Sequence, residues 1–425
     1  MISEPYGAIL CFVYMHLPGQ PHAVTAGQFR LLHTKQGVVM AHFVYGRRYL
    51  ANPDAVEIDP IELKLNTAVY ETAAGGGVFG ALRDAGPDHW GRLVIERYAG
   101  RPELGEIDYL LCSPEDRAGA LGFGLNKTPP PPLVRYNQTL DLAKLQTMAD
   151  ALEEARPQRT ATVSPSLMQV EDLLLLGTSM GGARPKVVVE DQDDLWLVKF
   201  NRGDDPWNYA RVEHAMLTLG RACGLSTAQG RVISIAGRDA LAVRRFDRDK
   251  IVEGYARARM LSAFTLLRLS DTLRSRDRWS YLLLAEALRK ISDRPEADLA
   301  QLFRRMCFNA LISNIDDHPR NHAVIAHRSW GLSPAYDLTP SVPVSLERRD
   351  LAMTCGAMGR WACKVNLMSQ ADRFLLGQQD ASHILTSMTQ QVGSTWRSVA
   401  RGCGVTPADC DSIAGAFVYP GFHLP

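Results

Sequence analysis

The chain has 425 residues, of which 46% are hydrophobic and 22% are charged. Its 47 Lys and Arg residues balance 46 Asp and Glu residues, and a net charge of +1 argues against a globally basic nucleic-acid surface and against an acidic solvating tail. The apolar share excludes a mainly disordered chain, and the length predicts two or three domains with sizeable cores.

The first apolar run, residues 7–15, indicates a buried strand rather than a signal peptide, because Glu4 and no Lys or Arg precede it. No run reaches about 18 uncharged apolar residues, so we expect no membrane span. The scattered cysteines form no C-x-x-C pair, which indicates free thiols in a reducing cytoplasm. A zinc cluster is the disfavoured alternative, since structural zinc sites use closely spaced ligand pairs. It would use Cys355, Cys363, Cys403 and Cys410.

Short apolar runs separated by turn residues predict a β-rich unit at the start of the chain. The runs are residues 8–15, 38–45 and 68–70. One helix is expected between Pro87 and Gly100, since Pro favours the first helical turn and Gly the position after the last. The proline run at residues 129–132 favours extended backbone and marks the clearest boundary.

Strands and one helix alternate after the proline run. We predict a strand over residues 194–200, a helix with an apolar stripe over 208–223, and a strand over 240–243. Beyond Tyr255 the chain is expected to be mainly helical. Apolar residues at spacings of three and four predict an amphipathic helix over residues 299–311.

The most polar stretch follows this helix, at residues 314–322, and Pro319 keeps it out of helical structure. We therefore expect a loop that is held by a rigid helix. A hairpin is predicted next, with a strand over residues 323–326, a turn over 328–331, a returning strand over 332–336 and Asp337 at its end.

Three residues of this region have the spacing that protein kinases use for phosphoryl transfer: Asp316, Asn321 five residues later, and Asp337 after the hairpin. In that arrangement Asp316 accepts the proton of the attacking hydroxyl. Asn321 and Asp337 bind Mg²⁺, which prefers hard oxygen ligands. The alternative is a solvated, Asx-rich loop without catalytic function.

A second metal interpretation pairs His318 with His322 in a zinc site. Zinc ligands four residues apart require a helix, and Pro319 between the two histidines prevents one. The spacing therefore favours the phosphoryl-transfer interpretation of this loop.

Lys199 lies in a predicted strand that is apolar on both faces, where an ammonium group is costly unless it is paired or binds an anion. Strand lysines that hold ATP phosphates have this setting, and Glu213 on the next helix is the expected ion-pair partner. The alternative is an edge-strand lysine whose side chain extends to water.

The glycine-containing segment at residues 177–186 carries three glycines, two hydroxyls and two cations before a predicted strand. Backbone N–H groups at Gly181 and Gly182 could wrap phosphates there. The spacing matches neither common phosphate-loop motif, so a flexible hairpin is the open alternative.

These motifs occur together in one order, and the chain resembles the HipA family, the serine/threonine-kinase toxins of bacterial toxin–antitoxin modules. The resemblance covers nearly the whole chain, and the shared order of the motifs makes it specific. It rests on residues 79–84, 87–92, 116–121, 241–248, 314–321 and 332–338.

The resemblance implies an α+β fold of the bilobal, protein-kinase-like kind, with an N-terminal β-rich subdomain and a mainly helical C-terminal lobe. The implied parts are the β-rich subdomain, the N-lobe with the phosphate loop and ATP lysine, and the C-lobe with the catalytic loop. They correspond to residues 1–130, 131–254 and 255–425. ATP and Mg²⁺ are the implied cofactors.

The resemblance also assigns residues around the nucleotide. Lys199 would bind the ATP phosphates, and Lys186 and His318 would lie near the nucleotide. Arg245 and Phe246 would lie at the hinge beside the adenine.

Family members autophosphorylate a Ser in the glycine-containing loop, which switches the kinase off, and Ser179 matches that position. They pair with a small helix-turn-helix antitoxin that binds operator DNA, so we expect DNA contact only through that partner. They poison growth, which links them to persistence, by phosphorylating a translation component such as an aminoacyl-tRNA synthetase. Two alternatives remain open: a catalytically silent corepressor that acts through its antitoxin, and a small-molecule phosphotransferase.

Overall fold

A computed structural model describes residues 9–33, 39–74, 77–100, 104–131, 136–138, 141–154, 184–342 and 345–424. The chain folds into two units that are interleaved along the sequence. The first comprises Met1–Phe200, Asp247–Leu261 and Ile325–Arg328, and the second comprises Asn201–Phe246, Ser262–Val324 and Ser329–Pro425. The sequence-based division into residues 1–130, 131–254 and 255–425 stays a prediction.

An antiparallel sheet of five strands forms the N-terminal part of the first unit. Its strands are β1 (Leu10–His16), β2 (Ala23–His33), β3 (Val39–Tyr45), β4 (Val69–Thr72) and β5 (Leu121–Gly124). They lie in the order β4-β3-β2-β1-β5. Phe79 packs edge to face against Phe29 and Phe43 of this sheet. The β-rich unit predicted from short apolar runs is confirmed.

The helices in the described part of the first unit are α1 (Arg47–Leu50), α2 (Gly80–Asp84), α3 (His89–Ala99), α4 (Glu106–Cys112) and α5 (Leu142–Glu154). The third is the helix predicted between Pro87 and Gly100. Asp88 caps its first turn, because its carboxylate accepts the backbone N–H of Gly91 at 3.0 Å. Gly100 ends it in the left-handed conformation, with φ 66.

Three further strands of the first unit lie side by side, namely β6 (Asn137–Gln138), β7 (Lys186–Asp191) and β8 (Asp194–Phe200). The first two are parallel, and the last two form an antiparallel hairpin. Two residues turn this hairpin, and Gln192 among them has φ 57. The register places Lys186 directly opposite Lys199. The strand predicted over residues 194–200 is confirmed.

The second unit begins with α6 (Tyr209–Ala222) and the antiparallel hairpin of β9 (Gly230–Ile235) and β10 (Arg238–Arg244). Asn208 caps the helix by accepting the backbone N–H of Arg211 at 3.1 Å. Its buried stripe includes Val212, Ala215, Met216 and Leu219, as the apolar spacing predicted.

The remaining helices of the second unit are α7 (Ala263–Leu266), α8 (Tyr281–Ile291), α9 (Pro295–Leu311), α10 (Lys364–Met368), α11 (Gln378–Gly402) and α12 (Pro407–Ile413). Short 3₁₀ helices lie at Leu273–Arg278, Pro319–Asn321, Ala371–Phe374, Ala414–Ala416 and Pro420–His423. The ninth helix is buried along most of its length, and Phe303 packs edge to face on Phe374. Within the described ranges, no helix combines the length and apolarity that a membrane crossing needs.

The last strands are β11 (Arg248–Ile251), β12 (Gly254–Arg257), β13 (Arg259–Ser262), β14 (Ala323–Ala326) and β15 (Trp330–Leu332). The strand predicted over residues 323–326 is confirmed, but the turn over 328–331 and the returning strand over 332–336 are wrong. The observed strand, β15, begins at Trp330, whose ring is buried. It ends where Ser333 donates to the carbonyl of Ala323 at 2.9 Å, because Pro334 has no N–H to continue the pairing.

Candidate active site

The loop after α9 is fixed where it leaves the helix. The backbone N–H of Asn314 donates to the carbonyl of Asn309 at 2.8 Å, and Ser313 between them has φ 52. The Ser313 hydroxyl donates to the carbonyl of Ala416 at 2.6 Å and accepts from Arg349 at 2.6 Å. The predicted loop on a rigid helix is confirmed.

Asp316 is the exposed acid of this loop. Its carboxylate forms no hydrogen bond or ion pair with any part of the chain that the structure describes. Its backbone carbonyl, in contrast, accepts from the N–H of His318 at 2.8 Å and from Nδ2 of Asn321 at 3.3 Å. The backbone is therefore held while the carboxylate remains available to a proton donor, which is the geometry that a general base needs.

Asp337 has a left-handed backbone, with φ 55. Asp adopts this conformation more readily than most residues, but it still costs energy that neighbouring groups must offset. One such group is Asn314, whose Nδ2 donates to the Asp337 carbonyl at 3.3 Å. A direct hydrogen bond therefore joins the loop of Asp316 to Asp337.

Asn321 and Asp337 carry the oxygen ligands that Mg²⁺ prefers. Asn321 uses Nδ2 for the Asp316 carbonyl, and its Oδ1 makes no hydrogen bond with a described residue. The described ranges contain no group of three or more His, Cys, Asp and Glu side chains that could hold a metal ion by themselves. Mg²⁺ commonly takes only one or two protein ligands and completes its shell with waters and phosphates. Two oxygen ligands are therefore enough for an ion that binds together with a nucleotide, and Mg²⁺ binding by Asn321 and Asp337 stays a prediction.

The buried Nδ1 of His318 has no hydrogen-bond partner among the residues that the structure describes. The ring also contacts Trp279 edge to face, with 6.3 Å between the ring centroids. A buried polar atom without a partner is costly, so a water or a ligand group is needed to satisfy it. This is compatible with the position near a nucleotide, which stays a prediction.

Phe246 stacks on Tyr336, with 5.8 Å between the ring centroids and an angle of 29° between the planes. Both rings pack against a buried apolar cluster formed by Ala210, Ala228, Leu241 and Val243. Arg245 is only 2% exposed. Because Tyr336 directly precedes Asp337, one aromatic pair connects the predicted adenine neighbour to the predicted metal ligand. The stacking of Tyr336 on Phe246 was not predicted from the sequence.

Lys186 and Lys199 are direct neighbours across β7 and β8. Opposite residues of an antiparallel pair share one face of the sheet, so the two cationic side chains leave it side by side. Like charges in these positions repel each other unless anionic groups accompany them. Lys186 is 2% exposed, and its Nζ lies 3.1 Å from Oδ2 of Asp88. Asp88 thus supplies a counter-charge to Lys186, and phosphate binding by the two lysines stays a prediction.

Glu213 is buried on α6 in the second unit, and Lys199 lies in the first, so their ion pair stays a prediction. Ser179, Gly181 and Gly182 lie outside the described residues. The phosphate contacts of the glycines and the autophosphorylation of the serine stay predictions as well.

Sequence reasoning missed a set of buried polar side chains next to the loop. Asp317 is 1% exposed, accepts a hydrogen bond from the hydroxyl of Tyr281, and lies 2.8 Å from Nε2 of His322. Burial raises the pKa of Asp317, but the contacts with His322 and Tyr281 bring it below its ordinary value. One feature of the sequence could have indicated these buried polar groups: Asn309 is a polar residue within the otherwise apolar part of α9.

The sequence model of the HipA-like C-terminal domain matches residues 178–396, which is more than half of the chain. The chain belongs to this family. The match includes residues 241–248, 314–321 and 332–338, three of the segments that carry the resemblance to the HipA family, and it also includes Lys199.

Two curated relatives of this HipA-family chain carry kinase names. "Putative kinase Y4dM" of Sinorhizobium fredii is 28% identical over 219 residues, which is 48% of this chain and 50% of that protein. A "Putative kinase" of Haemophilus influenzae is 25% identical over 205 residues, which is 44% of this chain and 57% of that protein. The chain thus spans only about half the length of these relatives.

A solved structure with a similar fold is HipA of Shewanella oneidensis, determined in a complex with HipB and operator DNA. The TM-score is 0.63, and the match covers 95% of this chain and 94% of that one at 16% identity. At this identity the likeness shows the fold alone. It confirms the predicted α+β, HipA-type kinase-like fold class for this chain.

Proposed function

We propose that this HipA-family chain is an ATP- and Mg²⁺-dependent protein serine/threonine kinase. One observation carries the proposal: Asp316 presents an exposed carboxylate without a partner among the described residues. Its backbone is held by Asn321, and its loop is bonded through Asn314 to Asp337. A base and one oxygen ligand on a loop, hydrogen-bonded to the segment that carries a second oxygen ligand, are parts that phosphoryl transfer needs.

In the proposed reaction the hydroxyl oxygen of a substrate Ser or Thr attacks the γ-phosphorus of ATP, and the bond to the ADP oxygen breaks. Asp316 accepts the proton of that hydroxyl. Asn321 and Asp337 would hold Mg²⁺, which supplies charge neutralisation at the phosphates. Lys186 and Lys199 would bind phosphate oxygens, since they share one face of their hairpin.

The same proposal includes a toxin function with a helix-turn-helix antitoxin as partner. It is supported by the similarity of the fold to HipA, whose structure was solved together with HipB and operator DNA. The net charge of +1 supports contact with DNA through the partner rather than directly. A translation component such as an aminoacyl-tRNA synthetase is the proposed substrate.

Two measurements on the full chain test the kinase proposal. Calorimetry with ATP is expected to show binding that strengthens when Mg²⁺ is added. Incubation with γ-labelled ATP is expected to place phosphate on Ser or Thr, either of the chain itself or of a general acceptor such as casein. Absence of nucleotide binding would favour the silent corepressor, and phosphate found only on a small metabolite would favour the small-molecule phosphotransferase.

Asp337→Asn is expected to weaken the apparent affinity for Mg²⁺ by roughly 10- to 100-fold, because the ion loses an anionic ligand. Asn tolerates the left-handed backbone at this position, so the fold should persist. The measurement is the Mg²⁺ dependence of ATP binding. Asp372→Asn, at an exposed position of the same unit, is the matched control. An unchanged Mg²⁺ dependence would remove Asp337 from the proposed site.

Ser179 is the proposed site of autophosphorylation. A phosphate there adds a charge of nearly −2 to a loop that must approach ATP, so transfer activity is expected to decline as phosphate accumulates. Ser179→Ala should keep a constant rate, whereas the neighbouring Thr178→Ala should decline like the wild type. Mass spectrometry locates the phosphate, and modification found solely at other residues would contradict the assignment.

A further inference from the structure

A continuous chain of buried polar side chains runs next to the loop of Asp316. The hydroxyl of Tyr281 donates to Asp317 and accepts from Nδ2 of Asn309 at 3.1 Å. Oδ1 of Asn309 in turn accepts from Nδ2 of Asn314 at 3.1 Å. These four side chains are at most 1% exposed, so solvent does not compete for their hydrogen bonds.

The first and last side chains of this hydrogen-bonded series lie next to the proposed base and the proposed metal ligand. At one end Asp317 directly follows Asp316 in the loop. At the other end Nδ2 of Asn314 also donates to the backbone carbonyl of Asp337 at 3.3 Å. A hydrogen-bonded path of four side chains therefore connects the backbone beside the proposed base to the backbone of the proposed metal ligand.

We propose that Asp317, Tyr281, Asn309 and Asn314 are positioning residues that hold the proton-accepting carboxylate of Asp316 in register with the metal-binding carboxylate of Asp337. The inference rests on the proposed kinase function. None of the four touches a reacting atom; they act through the backbone of the loop.

Charge and protonation determine which group donates and which accepts in each hydrogen bond among these four side chains. Burial raises the pKa of Tyr281 well above its ordinary value, and the neighbouring Asp317 adds to this, so the hydroxyl keeps its proton and donates. The pKa of Asp317 lies below its ordinary value despite burial, so this carboxylate accepts. Asn309 and Asn314 each donate through Nδ2, which fixes the orientation of both amides.

A second branch holds the loop from its other side. Nη1 of Arg305 lies 3.5 Å from Nδ1 of His322, and the guanidinium can only donate. Nε2 of the same imidazole lies 2.8 Å from Oδ2 of Asp317. The same Arg305 donates through Nη2 to the carbonyl of Ser333 at 2.6 Å, on the segment that leads to Asp337. Asp317 is thus the point where two buried paths join.

Precise alignment matters because a small displacement of a catalytic group reduces the rate far more than it reduces ligand binding. A positioning role therefore makes a separable prediction: the rate of transfer falls while the affinity for MgATP is retained. A residue that only stabilises the fold would change neither quantity in the fraction of protein that remains folded.

Tyr281→Phe tests this, since it deletes the hydroxyl and keeps the buried ring. We expect the initial rate of transfer from γ-labelled ATP to casein, at saturating MgATP, to fall about tenfold or more, with the calorimetric dissociation constant of MgATP within about twofold of wild type. The matched control is Tyr419→Phe. Its hydroxyl is also buried in the second unit and donates to the carbonyl of Ala362 at 3.0 Å. The control should keep the wild-type rate.

Asp317→Asn is the second variant, in case the first does not fold, and is judged by the same split between rate and affinity. Rates equal to wild type in a folded Tyr281→Phe or Asp317→Asn protein would overturn the inference. So would a parallel loss of rate in Tyr419→Phe. A wild-type chain that binds no MgATP and transfers no phosphate would instead overturn the proposed function, and the inference with it.

Discussion

Asp316→Ala is expected to reduce phosphate transfer by about 10²- to 10⁴-fold, the range that a positioned general base contributes. The carboxylate is exposed and has no partner among the described residues, so its removal should leave the fold and its stability unchanged. Asn321 and Asp337 remain in place, and the affinity for MgATP should therefore be retained.

The measurement compares wild type and variant for incorporation of labelled phosphate and for calorimetric binding of MgATP. Asp411→Ala is a suitable control, because it also removes an exposed carboxylate of the second unit, one that pairs with Arg397. Equal incorporation by wild type and Asp316→Ala would exclude Asp316 as the base. Loss of incorporation in the control would point to a general surface effect.

Asp88→Ala is expected to lower the free energy of unfolding by about 3–5 kcal/mol. Two effects combine in this residue. Its carboxylate lies 3.1 Å from the ammonium group of Lys186, which is almost fully buried and would lose this counter-charge. The same carboxylate caps α3 through the N–H of Gly91, and losing such a cap typically costs about 1 kcal/mol.

Urea denaturation followed by circular dichroism measures this loss, and a double variant separates its causes. Adding Lys186→Met should restore part of the stability, because replacing both partners of a buried ion pair by apolar groups costs less than removing one. Asp411→Ala, which breaks an exposed pair, should cost less than about 1 kcal/mol. A similar small loss for Asp88→Ala would show that the buried pair contributes little.

Several helices and strands could be predicted from the local pattern of apolar and polar residues. The helix over residues 208–223 was predictable because its buried side chains repeat with the helical period, and the strand at 194–200 was predictable as a short, mostly apolar run. The polar loop was also predictable from local sequence, since Pro319 disfavours an α-helix through it and the spacing from Asp316 to Asn321 needs no tertiary information. The predicted strand over residues 332–336 differs from the observed one because Pro334 has no N–H, so the chain beyond Ser333 leaves Ala323 and Ala335 bridges to Thr227 instead.

The contacts between distant parts of the chain could not be predicted in the same way. Asp88 and Lys186 are 98 positions apart, and Tyr281 and Asp317 are 36 apart, so only the fold brings each pair together. The juxtaposition of Lys186 and Lys199 is an intermediate case. A two-residue turn between β7 and β8 determines the register, and that register alone puts the two lysines opposite each other.

The burial of the bonds around Asp317 also determines how the protein responds to ionic strength. Dissolved ions screen charges that face water, such as the exposed pair of Arg320 and Asp271, but hardly reach charges enclosed in the interior. Arg305 and Asp317 are buried, so their charges are of this second type. Added salt should therefore leave the hydrogen bonds around Asp317 unaltered, whereas it should weaken the exposed pair of Arg320, which lies in the same loop.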